Sequence, residues 1–424
     1  YGNDRYQESV ELIEHALKLE PEHKSAYNDL GRSLLALGKM ERAEEAFKKA
    51  IAIDPFSPYA YNNLGRVCLS ERRFEEGEKW FLKQIEIDPL DPYAHKNLGE
   101  MLVQRAEFAR ALPVLEKAAK ITPKDADLFV NLGMAQMQLA QPAEAQESFK
   151  RAVELSPTPS TWYTIASYLA LITKNLEIAR EYAESAVAMV SAQLRNTRLE
   201  TVKTDDLRQV GFLAVVWDTL GWVHFKRGDL RAAEKYLKAA WQLSQEGDMA
   251  DHLGQLYERL GKLDLAKEYY AFSTIDTFPP HEGRKHLAAL IGEAKMEGYV
   301  DSVRTRPGEL RTYTVPAATG EGTADFFVSL APGPRVVETR FISGEPKLKG
   351  LSEALKQVKF VLDFPSESDT RVIRRGILSC SEPPTVKTIP PKTGMGPAAQ
   401  MPPAAARGSS CVFVLLETDT IQPF

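Results

Sequence analysis

The sequence predicts a mainly α-helical chain, a solenoid of helix-turn-helix repeats followed by a small α+β domain. Three observations predict it. Pro21, Pro55, Pro89, Pro123 and Pro157 stand 34 residues apart without insertion or deletion, a period that belongs to stacked helical hairpins. Between these prolines the same apolar positions recur at helical spacing. After about residue 300 the texture changes to short alternating runs punctuated by Gly and Pro, which read as strands.

Composition bounds the classes of function. The 424 residues include 26% charged side chains and carry a net charge of −5. That balance lacks the basic face a nucleic-acid partner requires, and no run of about 20 apolar residues is present to span a bilayer. The chain opens Tyr1-Gly-Asn-Asp-Arg-Tyr6, with neither an initiator Met nor a signal-peptide pattern, so a processed form or a fragment is expected.

The first element is half a repeat, a lone second helix in which Val10, Ile13, Ala16 and Leu17 form the apolar stripe and Pro21 ends it. An uncapped solenoid end exposes the face its neighbour would have covered. Val10, Ile13 and Leu17 are therefore an expected assembly edge. Either upstream chain continues the array or another molecule covers it, and head-to-tail stacking of copies would build a filament.

The first complete repeat carries Tyr27, Leu30, Leu34 and Leu37 on one helix, with Gly31 where a second helix must approach closely. Gly38-Lys39 breaks that helix. Ala43, Ala46, Phe47, Ala50 and Ile51 line the next, and Asp54-Pro55 ends it. The positions return as Tyr61, Leu64, Gly65, Phe81 and Pro89, as His95, Leu98, Gly99, Ala111, Leu115, Ala118 and Pro123, and as Phe129, Leu132, Gly133, Ala145, Phe149, Ala152 and Pro157. A fifth repeat begins at Trp162-Tyr163, has Ala166-Ser167 for the Leu-Gly pair, and lengthens its second helix over 176–195. A polar stretch, 196–209, interrupts the period. It resumes with Trp217, Leu220, Gly221, Ala233, Leu237 and Ala240, and again with Leu253, Gly254, Tyr257, Ala266 and Tyr270.

An aromatic, Leu-Gly, Ala, an aromatic, Ala and Pro at these offsets resemble the tetratricopeptide repeat (TPR). The resemblance implies a right-handed solenoid over residues 1–275, with a half repeat and seven full ones. It also implies a concave groove, lined by the first helices, that holds extended peptides or segments of partner proteins. The groove positions are Ser25, Asn28 and Arg32, then Tyr59, Asn62 and Arg66, then Tyr93, Lys96 and Glu100. Asn28, Arg32, Asn62, Arg66 and Lys96 make a basic, amide-rich trough that suits a carboxylate or a peptide backbone; the alternative is an ordinary solvated helix face. The trough is similar to a carboxylate clamp, although Glu100 stands where a further cation would help. By the fourth repeat the groove positions are Asp127, Val130 and Met134, so an anionic ligand is expected at the front half. Asn63, Asn97 and Asn131, each before Leu-Gly, read as helix-to-helix hydrogen bonds.

Residues 276–300 are expected to cap the array, with one amphipathic helix over 281–298 that buries Leu287, Leu290 and Ile291. A linker with strand-like Arg311–Val315 covers 301–323. Strands over 325–330 and 336–342 turn at Pro332-Gly333, a helix follows over 348–358, and strands at 370–378 and 411–416 complete an antiparallel sheet with one helix on its face. The Pro-rich stretch 382–407 reads as an extended excursion between the last two strands, either a docking arm or a surface loop. Cys380 and Cys411 flank it and are a candidate disulfide, which would mean an oxidising compartment. Residues 324–424 resemble, more weakly, the C-terminal domain of TonB-type proteins, with the hairpin at Gly333, Ser343-Gly344, the helix from Leu348 to Ala354, Phe360 and a closing strand. That resemblance implies a fold and a bacterial periplasmic or extracellular setting, not energy transduction.

No phosphate-cradling Gly-rich loop, His-Glu-x-x-His or Cys-x-x-Cys is present, so no catalytic residue, metal or cofactor is expected. Cys68 and His224 occupy one core position in their helices and read as packing, and His281 and His286 are isolated. The expected function is a non-enzymatic scaffold that binds protein or peptide partners through the groove and the C-terminal domain. The alternatives are a self-assembling filament subunit and the adaptor portion of a larger enzyme.

Overall fold

The computed structural model describes residues 2–23, 25–275, 282–316, 318, 320–333, 335–365, 370–381 and 410–416. The chain divides into two compact units, Tyr1–Thr161 and Trp162–Phe424. Unit 1 holds α1 (Gly2–Leu19) and four helix pairs: α2 (Ala26–Ala36) with α3 (Met40–Ile53), α4 (Pro58–Ser70) with α5 (Phe74–Ile87), α6 (Pro92–Gln104) with α7 (Phe108–Ile121), and α8 (Ala126–Gln138) with α9 (Pro142–Leu155). The unit boundary falls within α10 (Pro159–Leu171).

Each pair closes for the same reasons. Between its helices the chain passes through left-handed backbone, at Gly38 (φ 71°), Arg72 (57°), Ala106 (58°) and Ala140 (59°), which reverses direction in one residue. The helices then meet so closely that a Cβ at Gly65 would run into the Phe81 ring, and one at Gly133 would come within 2.5 Å of Phe149. Phe47, Phe81 and Phe149 are accordingly buried. The repeating prolines contribute beyond ending helices: the Pro55 carbonyl accepts from the Tyr61 hydroxyl at 3.0 Å, and the Pro89 carbonyl lies 3.0 Å from His95 Nε2.

Successive repeats are also tied by a ladder on their first helices. Asn63 Nδ2 donates to Asn28 Oδ1 at 2.9 Å, and Asn97 Nδ2 donates to Asn62 Oδ1 at 2.7 Å. At the next rung Lys96 stands where Asn28 and Asn62 stood and cannot accept. Asn131 instead donates to the Asp127 carbonyl of its own helix.

Unit 2 continues with α11 (Leu176–Arg195), α12 (Thr204–Arg227), α13 (Leu230–Leu243), α14 (Gly247–Arg259), α15 (Leu263–Phe272), α16 (Glu282–Ile291) and α17 (Glu293–Val303). The interruption is shorter than the polarity of 196–209 suggests. Thr204 to Gln209 are helical, because the Asp206 carboxylate accepts the Lys203 backbone N–H at 2.8 Å and starts α12 there. The single helix expected over 281–298 is two, broken at Gly292 (φ 85°). The ladder returns in other chemistry: His252 Nδ1 donates to Asp218 at 2.9 Å, and His286 Nδ1 donates to Asp251 at 2.8 Å.

After α18 (Arg306–Glu309), the strands β1 (Thr312–Val315), β2 (Gly322–Ala331), β3 (Arg335–Gly344), β4 (Val372–Ser381) and β5 (Ser410–Leu415) form an antiparallel sheet in the order β1-β5-β4-β2-β3. The helix expected over 348–358 is a 3-10 segment, Pro346–Leu351, and a single α-turn, α19 (Ser352–Leu355); Gly350 disfavours a longer one. Tyr313 and Phe413 of the sheet meet Phe360, and Phe364 lies edge-on to Trp217 of α12. One apolar core therefore runs from the helices of unit 2 into its sheet. Arg374, buried in β4, donates to the Leu243 and Leu416 carbonyls at 2.5 and 2.6 Å. Cys380 and Cys411 face each other across β4 and β5 and are disulfide-bonded. The Pro-rich stretch 382–407, and His281, lie outside the described residues. Among the described residues no helix is long and apolar enough to cross a membrane.

Candidate functional site

The first helices of unit 1 enclose a cavity of about 610 Å³. Its α4 side supplies Asn62, Arg66, Leu69 and Ser70, with Arg72 from the following turn; its α6 side supplies Tyr93, Lys96, Asn97, Glu100 and Gln104; Asp127 comes from α8. Asp91 caps α6 by accepting the Tyr93 and Ala94 N–H groups, which fixes where that wall begins.

Three of the five groove residues read from the sequence, Asn62, Arg66 and Lys96, line this cavity, and Asn28 and Arg32 do not. Their chemistry also differs from a uniformly basic trough. Asn28 and Asn62 spend their carbonyl oxygens on the ladder. Arg32 lies 3.6 Å from Asp29 of its own helix. Lys96 is committed to Asp125, at 2.8 and 2.9 Å, and lies 3.5 Å from Asp127. Burial works against the charged Lys96, but the Asp125 carboxylate outweighs it and holds the ammonium above its ordinary value. Arg66 and Arg72 are exposed and form no ion pair among the described residues.

Glu100 is the counterpart. Burial pushes its carboxyl above the usual range, opposed by Lys96 and, more weakly, by Arg66. It accepts from Gln104 at 3.3 Å. Glu100, a groove position in the sequence, lines the cavity. What the sequence did not disclose is that Asp125, 29 residues from Lys96, removes that cation from service.

The expected edge on α1 is also rearranged. Val10 and Leu17 are 2% and 9% exposed, packed with Leu30, Leu34 and Phe47, and Ile13 packs beside them. The outward apolar side chains of α1 are Leu12 and Leu19, 66% and 78% exposed. The stripe chosen from periodicity faces the core because α2 covers it.

No group of three or more His, Cys, Asp or Glu that could hold a metal occurs among the described residues. Cys68 is fully buried, and burial pushes its thiol up to about 11, which leaves it unreactive at neutral pH. His224 is buried against Tyr236.

Tetratricopeptide-repeat family models match residues 1–58, 34–99, 102–167 and 248–271. The chain carries these repeats. No curated protein matches it in sequence. Among solved structures it is similar to YrrB, described as a TPR protein with an unusual peptide-binding site, at 23% identity over 42% of this chain and 92% of that one, with a TM-score of 0.36. It is similar to a chain of the APC/C Cut9–Hcn1 hetero-tetramer at 17% identity, over 68% and 53% of the two chains, with a TM-score of 0.46. It is also similar to PilF of Pseudomonas aeruginosa at 25% identity, over 49% and 90%, with a TM-score of 0.35.

Proposed function

We propose that this chain, which carries tetratricopeptide repeats, is a non-enzymatic scaffold that holds an extended segment of a partner protein in the trough of unit 1. One observation carries the reading. The first helices of successive repeats place an open polar cavity of about 610 Å³ beside guanidinium groups that form no ion pair among the described residues. Arg66 and Arg72 can each give a carboxylate charge-assisted hydrogen bonds without breaking an internal ion pair.

The experiment is selection of binders from a random-peptide display library on the full chain, followed by hydrogen–deuterium exchange with each selected peptide. Protection confined to α4, α6 and the start of α8 is the expected result. Failure to enrich any peptide, or protection confined to other helices, would contradict the reading.

The Cys380–Cys411 bond supports an oxidising setting, which we take to be the bacterial periplasm or exterior. The hairpin at Gly333 and the short helical turn after β3 favour a TonB-like reading of the sheet domain, carried over as fold only. Intact mass of the natively produced protein, with and without reductant, tests the setting: two free thiols at Cys380 and Cys411 would count against it. Self-assembly is a second reading, favoured by the outward Leu12 and Leu19 of α1. A discrete monomer at high concentration in analytical ultracentrifugation would dismiss it.

A further inference from the structure

The trough of unit 1 is bipolar. On the α4 side stand Arg66 and Arg72, without ion pairs among the described residues; on the α6 and α8 side stand Glu100 and Asp127. Lys96, on the same wall as Glu100, is neutralised from within by Asp125. Two walls of opposite sign do not suit a uniformly acidic ligand, since a second carboxylate would meet Glu100 and Asp127. Nor do they suit a uniformly basic one.

Glu100 is under-partnered. Its carboxyl is half-buried, and its one hydrogen bond among the described residues is the 3.3 Å contact from Gln104. Lys96 and, more weakly, Arg66 oppose the upward shift of Glu100, but neither forms an ion pair with it among the described residues. A carboxylate withdrawn from water without an ion-pair partner gains more from an arriving ammonium or guanidinium than an exposed one does.

The floor between the walls is the Asn97–Asn62 rung. Its bond uses Asn97 Nδ2 and Asn62 Oδ1. That leaves Asn62 Nδ2 as a donor and Asn97 Oδ1 as an acceptor, neither engaged by another side chain among the described residues. One donor and one acceptor side by side match the N–H and C=O of an extended backbone, and the exposed Tyr93 ring offers an apolar flank.

Resting on the reading that this trough binds a partner segment, we propose that its occupant is an extended internal peptide segment bearing both an acidic and a basic side chain. The acid is taken by Arg66, the base by Glu100, and the backbone between them by Asn62 and Asn97. Arg72 lines the same cavity and adds positive charge on that side.

The test uses the full chain and decapeptides of Gly and Ser that carry an uncharged BODIPY dye at one end and are blocked at the other, so that side chains supply every charge. One set carries an Asp and a Lys one to three residues apart; controls carry Asp alone or Lys alone. In fluorescence anisotropy the best mixed peptide should bind roughly tenfold or more tighter than either control. Arg66→Gln should reduce it to the Lys-only level, and Glu100→Gln, which mimics the neutral carboxyl, to the Asp-only level. An Asp-only peptide that binds as well as the mixed one overturns the proposal. So does Glu100→Gln that leaves affinity unchanged or raises it. Either result leaves the peptide-binding reading standing if display-selected peptides still protect α4 and α6. If none of these decapeptides binds, this inference fails; if display selection also yields no binder, both readings fail.

Discussion

Asn63 of α4 donates its amide to Asn28 of α2 at 2.9 Å, joining the first helices of two successive repeats. Asn63 is 6% exposed, so its donor cannot turn to water when the partner is lost. A net hydrogen bond is worth about 1 kcal/mol, and an orphaned buried group costs about 1–3. Asn63→Ala should therefore lower stability by about 1 kcal/mol, and Asn28→Ala, which orphans the buried amide, by at least as much. Asn131→Ala, which removes an exposed bond within one helix, should cost less. Chemical denaturation of the three variants checks the order.

The equivalent rung in unit 2 adds a dependence on pH. Burial pushes His252 down, but the Asp218 carboxylate outweighs it and the imidazole ends above its ordinary value. A pKa raised on folding contributes stability that is complete below the unfolded value of about 6.5 and is lost as pH rises through the folded value. His252→Asn keeps a donor of the kind used in unit 1 but does not titrate. Wild type should exceed this variant in stability at pH 6, and the difference should shrink steadily towards pH 9. A difference independent of pH would contradict the assignment.

Two glycines in helices should answer oppositely to alanine. A Cβ at Gly65 strikes the buried Phe81 ring, whereas one at Gly298 in α17 meets nothing within 4 Å. Gly65→Ala should destabilise by about 1–3 kcal/mol through overpacking. Gly298→Ala should stabilise by up to about 1 kcal/mol through helix propensity. Melting temperatures of the two variants decide it.

Gln84 of α5 is a local exception to the repeat. It stands where Ala50, Ala118 and Ala152 stand, is fully buried, and neither its oxygen nor its nitrogen has a hydrogen-bond partner among the described residues. Gln84→Met keeps the length and removes the unsatisfied polar atoms. A gain of about 1–2 kcal/mol in urea unfolding is expected.

These residues also mark what could be read from sequence. The recurring Gly, aromatic and Pro have one-dimensional spacing because each repeat meets only its neighbours. Of the asparagines before Leu-Gly, the helix-to-helix bonds of Asn63 and Asn97 were legible for the same reason, whereas Asn131 bonds within its own helix. What escaped depends on atoms at non-repeating offsets. Asp125 captures Lys96, α2 covers Val10 and Leu17, and Gly292 splits a helix whose apolar spacing is otherwise continuous. The strands were legible from alternation, while the fusion of their core with α12 depends on long-range contacts that no local pattern carries.

Arg32 and Arg66 give the most direct test, because they occupy the same position in adjacent repeats and are alike to any reading by period. Arg32 lies beside Asp29 and outside the cavity; Arg66 has no ion pair among the described residues and lines it. The measurement is the Kd of a display-selected peptide for Arg32→Ala and Arg66→Ala. A loss of roughly tenfold or more for Arg66→Ala, with Arg32→Ala binding like wild type, is the predicted result. Equal losses, or no loss at Arg66, would contradict the claim that this trough is where the protein holds its partner.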